Sequence, residues 1–434
     1  MITILIISRS PWNKRNSFGN TYSNFFGDLE NVQIGNVFLA DGHPEYEKNV
    51  VSYFKISESQ VISSVLKSRS YKNRVGSYYK ITENIICDNS NSKSMNVINN
   101  SKKLRFPLLY LLRELVWKIG QINYIDLFKY IKDLQPDLIF IPLNYAIYTN
   151  SLALKIKKQF NLPIILETSS DVYTLRQISF DPFFWFDRFL KRKIIKRIID
   201  ESSLMYVISE KQLREYSKIF SIPMKILMKR AKVGIEFINE KQISSPIKLL
   251  YTGNIGDGRC KILSIIASSI IQNGNSRLDI YTSTLLNKNQ TKKIAIDGVS
   301  ILHGQVSFSE VVELQSQADI LIHVESFSLK NKLASRYSIS TKIIDYISKG
   351  KCILSIGPRD IASIEYLTKN EISYVITKKS EIRSKLISLL NSPELIKNYG
   401  QKSMNFYKLL DMEQEKKDFY SDIYNIVQNK KNTI

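Results

Sequence analysis

Short runs of β-branched residues alternate along the chain with longer stretches in which apolar residues recur at helical spacing. This alternation is typical of parallel sheets whose two faces are covered by helices. In the first half of the chain we predict strands at residues 2–8, 32–39, 137–142, 163–167 and 204–209. The pattern therefore predicts an α/β fold.

The alternation lapses in a polar connector at residues 236–246 and restarts with a strand at 247–252. Later strands are predicted at residues 278–281, 299–302, 320–324, 352–356 and 374–376. A chain of 434 residues exceeds the size at which one hydrophobic core keeps growing, so two domains are expected. We predict two Rossmann-like doubly wound domains, residues 1–243 and 244–410, facing a cleft at the carboxyl ends of both sheets.

Two segments stand apart from this pattern. Residues 88–103 carry Asn, Ser and Lys with little to bury, and a loop is predicted there. A helix at 412–427 follows the last strand, and residues 411–434 are predicted to pack back across the domain junction.

The net charge of the chain indicates that its ligands are anionic. The chain carries 62 Lys and Arg against 40 Asp and Glu, a formal net charge of +22. This charge favours nucleic acid, an anionic lipid leaflet or a phosphorylated ligand without choosing among them. Three scattered cysteines fit reduced thiols in a cytosol. The apolar runs fall short of the roughly 20 residues that a membrane helix needs, so we expect a protein that does not span a membrane.

A glycine-rich turn follows the strand at 247–252 and precedes an apolar helix at 262–271. Its residues are Gly253-Asn254-Ile255-Gly256-Asp257-Gly258-Arg259. Glycines let backbone N–H groups approach a phosphate, and the arginine can add a bidentate contact. The spacing matches neither the dinucleotide-binding nor the P-loop pattern, and a plain tight turn is the alternative.

A second candidate site precedes the strand at 352–356. We expect Ser340 to cap a helix whose first turn holds Thr341 and Lys342, where amides and an ammonium can converge on a diphosphate. A cation at a helix N-terminus opposes the helix dipole, so its placement indicates an anion nearby. A solvated lysine on a surface helix is the alternative.

Further motifs extend through the second half: Asp319-Ile-Leu-Ile-His-Val-Glu325, Ser-Thr-Lys-Ile-Ile-Asp-Tyr-Ile at 340–347, and Gly-Lys-Cys-Ile-Leu at 350–354. Tyr-Thr-Gly-Asn-Ile-Gly at 251–256 and His-Gly-Gln-Val at 303–306 belong to the same set, which extends a match over most of residues 247–410. This region resembles the donor-binding domain of GT-B glycosyltransferases, specifically family 4-like enzymes of capsule and O-antigen synthesis. The resemblance implies a GT-B fold and a nucleotide-sugar donor.

The resemblance also implies roles for single residues. It places the donor diphosphate between the glycine turn and the second candidate site, in contact with Gly253, Asn254, Gly256, Arg259, Thr341 and Lys342. Asp345 is expected to hold the ribose hydroxyls. The nucleobase is expected in the loop that contains His303, Gly304 and Val306.

Glu325 is the candidate for contact with the sugar or with a charged transition state. A buried glutamate that only caps a loop is the alternative. The family's usual pair of glutamates eight residues apart is incomplete here, because Tyr337 stands eight residues before Asp345. Sugar identity and stereochemical outcome therefore do not follow from the resemblance.

In the first half, Asp171 and His43 are candidates to orient or deprotonate an acceptor hydroxyl, since each follows a predicted strand. Each residue type is also common in structural roles.

A helix at 183–199 is amphipathic and basic. Phe186, Leu190, Ile194 and Ile198 form one row at helical spacing, and Arg188, Arg192 and Lys196 form an opposite row. The pattern fits a core-facing helix with a solvated basic face, or a helix that lies on an anionic leaflet.

We therefore expect a glycosyltransferase that moves a sugar from a UDP-, GDP- or other nucleoside diphosphate sugar to a lipid-linked saccharide in surface-polysaccharide synthesis. The resemblance implies a retaining hexosyltransferase. No Cys or His grouping has metal-ligand spacing, so no metal or other cofactor is expected. The expected location is the cytoplasm, peripheral on the anionic inner leaflet, with no nucleic-acid partner.

Three alternatives remain open at this stage. A non-hydrolysing sugar-nucleotide epimerase shares the two-domain architecture and needs no acceptor. A basic nucleic-acid-binding protein is compatible with the charge, although its basic residues are dispersed. An inactive member serving as a partner subunit is compatible with the incomplete glutamate pair.

Overall fold

The computed structural model describes residues 1–14, 16–66, 75–81, 107–230 and 242–432. The chain divides into two compact units. Unit 1 comprises Met1–Leu227 and Lys416–Ile434, and unit 2 comprises Met228–Glu415. The division falls earlier than the predicted boundary between residues 243 and 244. The loop predicted at 88–103 and most of the connector predicted at 236–246 lie outside the described residues.

Unit 1 is built on an eight-stranded sheet in the order β4-β3-β2-β1-β5-β6-β7-β8, parallel except for the antiparallel edge strand β4. The strands are β1 (Ile2–Ser8), β2 (Val32–Phe38), β3 (Val50–Lys55), β4 (Ser77–Tyr79), β5 (Leu138–Pro142), β6 (Ile164–Thr168), β7 (Leu204–Val207) and β8 (Met224–Ile226). The five strands predicted in this half are confirmed, while β3, β4 and β8 were not predicted.

Helices join these strands, as the parallel order requires. They are α1 (Ser17–Phe26), α2 (Glu58–Leu66), α3 (Pro107–Ile119), α4 (Tyr124–Leu134), α5 (Ile147–Phe160), α6 (Pro182–Asp200) and α7 (Glu210–Tyr216).

Helix α6 departs from the core-facing interpretation of its predicted pattern. Arg188 and Lys191 are buried, whereas Phe186 and Leu190 of the predicted apolar row are 58% and 41% exposed. Only the end of that row, at Ile198, lies in the interior. The core-facing interpretation was wrong at Arg188 because it assigned this cation to solvent, whereas Lys196 of the same row is exposed. The interpretation as a helix on an anionic leaflet places the apolar row outside, and it stays a prediction. Here Arg188 donates to backbone carbonyls and Lys191 pairs with a buried carboxylate, so both are stabilised inside.

Unit 2 contains a six-stranded parallel sheet in the order β11-β10-β9-β12-β13-β14. Its strands are β9 (Ile247–Thr252), β10 (Ser276–Tyr281), β11 (Ser300–His303), β12 (Ile320–Val324), β13 (Cys352–Ile356) and β14 (Tyr374–Ile376). Every strand predicted in this half is confirmed. The chain runs outward from β9 to β11 and then crosses to β12, so the strand order reverses between β9 and β12. In open α/β sheets, ligands bind beside the carboxyl ends of strands at such a point.

The remaining helices are α8 (Arg259–Ile270), α9 (Lys288–Ile294), α10 (Phe308–Gln317), α11 (Leu329–Ser335), α12 (Lys342–Ile347), α13 (Ala362–Lys369), α14 (Ile382–Leu390), α15 (Pro393–Leu409) and α16 (Met412–Lys431). The last helix, α16, packs into the core of unit 1 through Phe419, Ile423 and Val427. The Phe419 ring lies 5.3 Å from that of Phe26, and Tyr206 donates to Asp422 at 2.8 Å. Within the described part of the chain, no helix is long and apolar enough to cross a bilayer.

Candidate functional site

The glycine turn lies directly after β9, beside the point where the strand order of unit 2 reverses. Gly253 has φ +122° and Gly258, immediately before α8, has φ +83°. Both values favour glycine. The Asn254 side chain accepts from the backbone N–H of Gly256 at 2.6 Å, and Tyr251 donates to the Asn254 carbonyl at 2.6 Å. The turn is therefore held by its own contacts and by the strand before it.

Two glycines of the turn are needed for close approach by side chains as well as for backbone conformation. A Cβ atom at Gly253 would lie 2.3 Å from Nζ of Lys342, and one at Gly258 would lie 2.4 Å from Oγ of Ser326. Lys342 thus reaches the turn only because residue 253 has no side chain.

Lys342 is the first residue of the short helix α12. Its ammonium donates to the carbonyl of Thr252 at 2.6 Å and lies 5.0 Å from the Tyr251 ring centroid. Burial, followed by the positive charge of Arg259, lowers the pKa of Lys342 to about 8. The solvated-lysine alternative therefore does not describe this residue.

The predicted helix cap at Ser340 was wrong. The cap position is Thr341, which is exposed and whose side chain makes no capping hydrogen bond. The helix begins one residue later than predicted, so Lys342 rather than a cap hydroxyl is the polar group directed to the turn.

Arg259 and Glu325 form one ion pair in the same region. Arg259 begins α8, Glu325 follows β12, and a guanidinium nitrogen lies 3.2 Å from the Glu325 carboxylate. Arg259 also donates to the Val324 carbonyl at 3.2 Å. Burial raises the pKa of Glu325, and Arg259 opposes that rise. The sequence predicted separate roles for these residues, and the structure pairs them directly.

His323 is a neighbour that sequence reasoning missed. It is buried on β12, with Nε2 3.2 Å from the Ser363 hydroxyl and 3.7 Å from the Glu325 carboxylate. Burial and the charges of Lys342 and Arg259 lower the pKa of His323 to about 3, so the imidazole is neutral. Its place near the end of β12, two residues before Glu325, was the available signal.

Asp345 lies on α12 and accepts a hydrogen bond from the buried ammonium of Lys229 at 2.8 Å. Lys229 precedes the residues 231–241 that the structure does not describe. No sequence pattern pointed to Lys229, because its partner is more than a hundred residues away along the chain.

The residues expected near the nucleobase lie two strands from β9, at the end of β11. The His303 ring stacks on Tyr281 at 4.2 Å and lies 2.8 Å from the Asp279 carboxylate. A Cβ atom at Gly304 would meet open space, and Val306 is half-buried. The loop thus has a fixed start at His303 and an unobstructed backbone beyond it.

In unit 1, Asp171 is buried and its carboxylate is fully engaged. It accepts from the backbone N–H of Thr174 at 2.9 Å, from the Thr174 hydroxyl, and from the Tyr216 hydroxyl at 3.1 Å. These contacts give Asp171 a structural role in its loop, and a catalytic role stays a prediction. His43 is exposed.

Glu167 is a second residue that sequence reasoning missed. It lies near the carboxyl end of β6, is buried, and accepts from the Tyr22 hydroxyl at 2.5 Å. Burial raises the pKa of Glu167 to about 7, against the effect of the Tyr22 hydrogen bond. It appeared in the sequence only as the end of a predicted strand.

Across the ranges that the structure describes, no group of three or more His, Cys, Asp or Glu side chains is arranged to hold an ion. The expectation that no metal is required stays a prediction.

No family model and no curated protein matches the chain. Among solved structures, TarM matches with a TM-score of 0.52 at 11% identity, over 69% of this chain and 57% of TarM. WaaG, a glycosyltransferase involved in lipopolysaccharide biosynthesis, matches with a TM-score of 0.54 at 10% identity, over 96% of this chain and 98% of WaaG. Anabaena HepE in complex with UDP matches with a TM-score of 0.62 at 9% identity, over 98% of this chain and 100% of HepE.

This chain therefore spans little more than half of TarM but nearly the full length of WaaG and HepE. At such low identities the likeness establishes the fold. With its two Rossmann-like parallel-sheet units, the chain has the fold of the GT-B glycosyltransferases.

Proposed function

We propose that the chain transfers a hexosyl group from a nucleoside diphosphate sugar to a hydroxyl of a lipid-linked saccharide in surface-polysaccharide synthesis. The observation that carries the proposal is the convergence of Arg259, Lys342 and the glycine turn where the strand order of unit 2 reverses. Two cations beside a glycine turn suit a diphosphate. HepE, which shares the fold, binds UDP-glucose, and WaaG acts in lipopolysaccharide biosynthesis.

In the proposed reaction, the acceptor oxygen bonds to the anomeric carbon while the bond from that carbon to the diphosphate breaks. The diphosphate leaves with the electron pair and takes up the proton of the acceptor hydroxyl, while Arg259 and Lys342 stabilise its growing negative charge. Because two protein cations meet this charge, we propose that the donor needs no metal. Glu325 holds Arg259 in position and contacts the sugar. Retention of anomeric configuration is proposed from the family resemblance.

The rest of the donor is proposed to extend along the same edge of the sheet. Asp345, fixed by Lys229, holds the ribose hydroxyls, and the loop of His303, Gly304 and Val306 frames the base. Thr341 and Asn254 are exposed beside the diphosphate position.

The acceptor and location are proposed from the resemblance and the charge. A lipid-linked saccharide stays in the membrane, so its transferase must work at the bilayer surface. We propose a cytoplasmic protein that is peripheral on the anionic inner leaflet, since a net charge of +22 favours anionic lipid.

Donor affinity should fall as the pH rises above about 8. Lys342 has a pKa of about 8 in the free protein, set by burial and by Arg259 against the attraction of Glu325 and Asp345. A bound diphosphate favours the ammonium, so above that pH binding must take up a proton and Kd should rise about tenfold per pH unit. Calorimetric titration of UDP in buffers of different ionisation enthalpy measures this uptake. An affinity independent of pH between 7 and 9.5 would exclude Lys342 as a diphosphate contact.

A turnover screen tests the proposed reaction. The full chain is incubated with radiolabelled UDP- and GDP-sugars and a bacterial lipid extract, and label in the organic phase is counted together with free nucleoside diphosphate. We expect one donor to give both products, and neither with Arg259→Ala. Conversion of a donor to its epimer without acceptor would replace the proposal with the epimerase, and no product from any donor would reject it.

A further inference from the structure

Helix α6 turns its charged residues inward and its aromatic residues outward. Arg188 donates to the Thr174 carbonyl at 2.6 Å, and Lys191 pairs with the buried Asp187 at 2.6 Å. On the opposite side, Phe183, Phe186 and Phe189 are 48%, 58% and 57% exposed. These buried contacts fix the orientation of α6, because rotating the helix about its axis would leave the charges of Arg188 and Lys191 without their partners.

Helix α3 has the same inverted arrangement. Its inner side carries Arg113, which donates to Glu58 at 2.6 Å, and Glu114, which accepts from the backbone N–H groups of Ile147 and Tyr148. Its outer side is a stripe at helical spacing, in which Leu108, Leu112, Leu115 and Ile119 are each about half exposed.

The two helices pack against each other in unit 1, and the Lys191 ammonium lies 5.3 Å from the Tyr110 ring of α3. Neighbouring helices that both expose apolar residues differ from the scattered exposed leucines of an ordinary surface. We define the apolar face as Leu108, Leu112 and Leu115 of α3 with Phe183, Phe186 and Phe189 of α6. An exposed apolar surface of this kind indicates a binding partner.

Charge on the same side of α6 identifies that occupant. One to two turns after Phe189, the exposed side of the helix carries Lys193, Lys196 and Arg197. Lys196 and Arg197 also pair with Asp200 and Glu201 of the same helix. Such solvent-exposed pairs contribute little to stability, so both cations can exchange these partners for lipid phosphates. Aromatic and leucine side chains followed by cations suit the boundary between acyl chains and anionic headgroups. A protein partner fits less well, because the cores of protein interfaces are depleted in lysine.

We propose that unit 1 docks on an anionic bilayer through this apolar face, with the α6 cations on lipid phosphates. This inference rests on the proposed function, because a transferase that acts on a lipid-linked acceptor must contact the membrane. Glu114 of α3 binds the N-terminus of α5, which follows the carboxyl end of β5. The docked face is thereby tied directly to the end of the unit 1 sheet where ligands bind in such folds.

Co-sedimentation of the full chain with vesicles tests the proposal. We expect binding to vesicles of phosphatidylcholine with phosphatidylglycerol and little binding to phosphatidylcholine alone. Phe186→Ser with Phe189→Ser should lower the partition coefficient at least tenfold. Lys193→Glu with Lys196→Glu should lower it about tenfold or more at low salt and have little effect at high salt.

Matched controls lie in unit 2. Leu285→Ser with Leu409→Ser removes apolar side chains that are 90% and 80% exposed, and Lys288→Glu with Lys408→Glu changes the net charge equally. Both pairs should bind vesicles like the wild type. Wild-type binding by the Phe186 and Phe189 pair, or no vesicle binding by the wild type, would overturn the proposal. A dimer that dissociates in the phenylalanine pair while vesicles are ignored would also overturn it, in favour of self-association.

Donor binding separates this inference from the proposed function. The phenylalanine pair should bind UDP or GDP with unchanged affinity, because the face lies in unit 1 and the donor residues lie in unit 2. Loss of vesicle binding with intact donor binding supports the inference. Vesicle binding by a chain that binds no nucleotide rejects the glycosyltransferase and retains the docking face.

Discussion

Replacing Arg259 with alanine should abolish sugar transfer and destabilise the protein at the same time. The guanidinium is proposed to meet the charge of the leaving diphosphate, and loss of such a contact costs at least about 100-fold in kcat/KM, or about 3 kcal/mol. The same change leaves Glu325 buried without its cation. We expect the free energy of unfolding to fall by about 3 kcal/mol. Turnover assays and denaturant titration measure the two effects.

A double variant separates these effects. Arg259→Ala with Glu325→Gln removes the buried carboxylate that would lack its cation. The free energy of unfolding should therefore return towards that of the wild type, while sugar transfer stays lost. Arg383→Ala, at an exposed arginine of the same unit, should change neither quantity. Recovery of activity in the double variant would show that Arg259 serves only to neutralise Glu325.

Replacing Lys342 with methionine should move function and stability in opposite directions. Burial disfavours the ammonium, and this penalty is present below pH 8 and is relieved as the pH rises towards the ordinary pKa of lysine. An apolar side chain of similar length avoids the penalty at pH 7. The free energy of unfolding should stay equal or rise, while affinity for nucleoside diphosphate falls roughly 100-fold because a charged hydrogen-bond donor is lost.

Lys408→Met is the control for this change, since Lys408 is an exposed lysine of the same unit. It should alter neither nucleotide affinity nor unfolding. A large loss of stability in Lys342→Met would show that its hydrogen bond to Thr252 holds the fold together, and the lysine would then be a structural residue.

Much of the fold was predictable because buried strands have a recognisable pattern in the local sequence. Runs such as Ile320–Val324 are short, β-branched and buried, and they were recognised within a residue or two. The edge strands β4 and β8 were missed because each has three residues and little burial. The orientation of α6 was missed for another reason. Helical spacing defines two opposite faces, but only tertiary contacts decide which of them is covered.

In the candidate site too, some residues could be predicted from local sequence and others could not. The glycine turn, Arg259 and Lys342 are visible in local sequence, because strand, turn and helix are consecutive. The Arg259–Glu325 pair, the neutral His323 and the Lys229–Asp345 contact join distant segments. Local sequence therefore indicated a phosphate site, and the sheet order was needed to bring its charged groups together.

The most direct test of the account is a calorimetric titration of the full chain with UDP and with GDP at pH 7, beside Lys342→Met. We predict that one nucleotide binds with one-to-one stoichiometry and that the variant loses roughly 100-fold in affinity while remaining folded. Binding of neither nucleotide, or equal binding by the wild type and a folded variant, would contradict the assignment of a diphosphate site to unit 2.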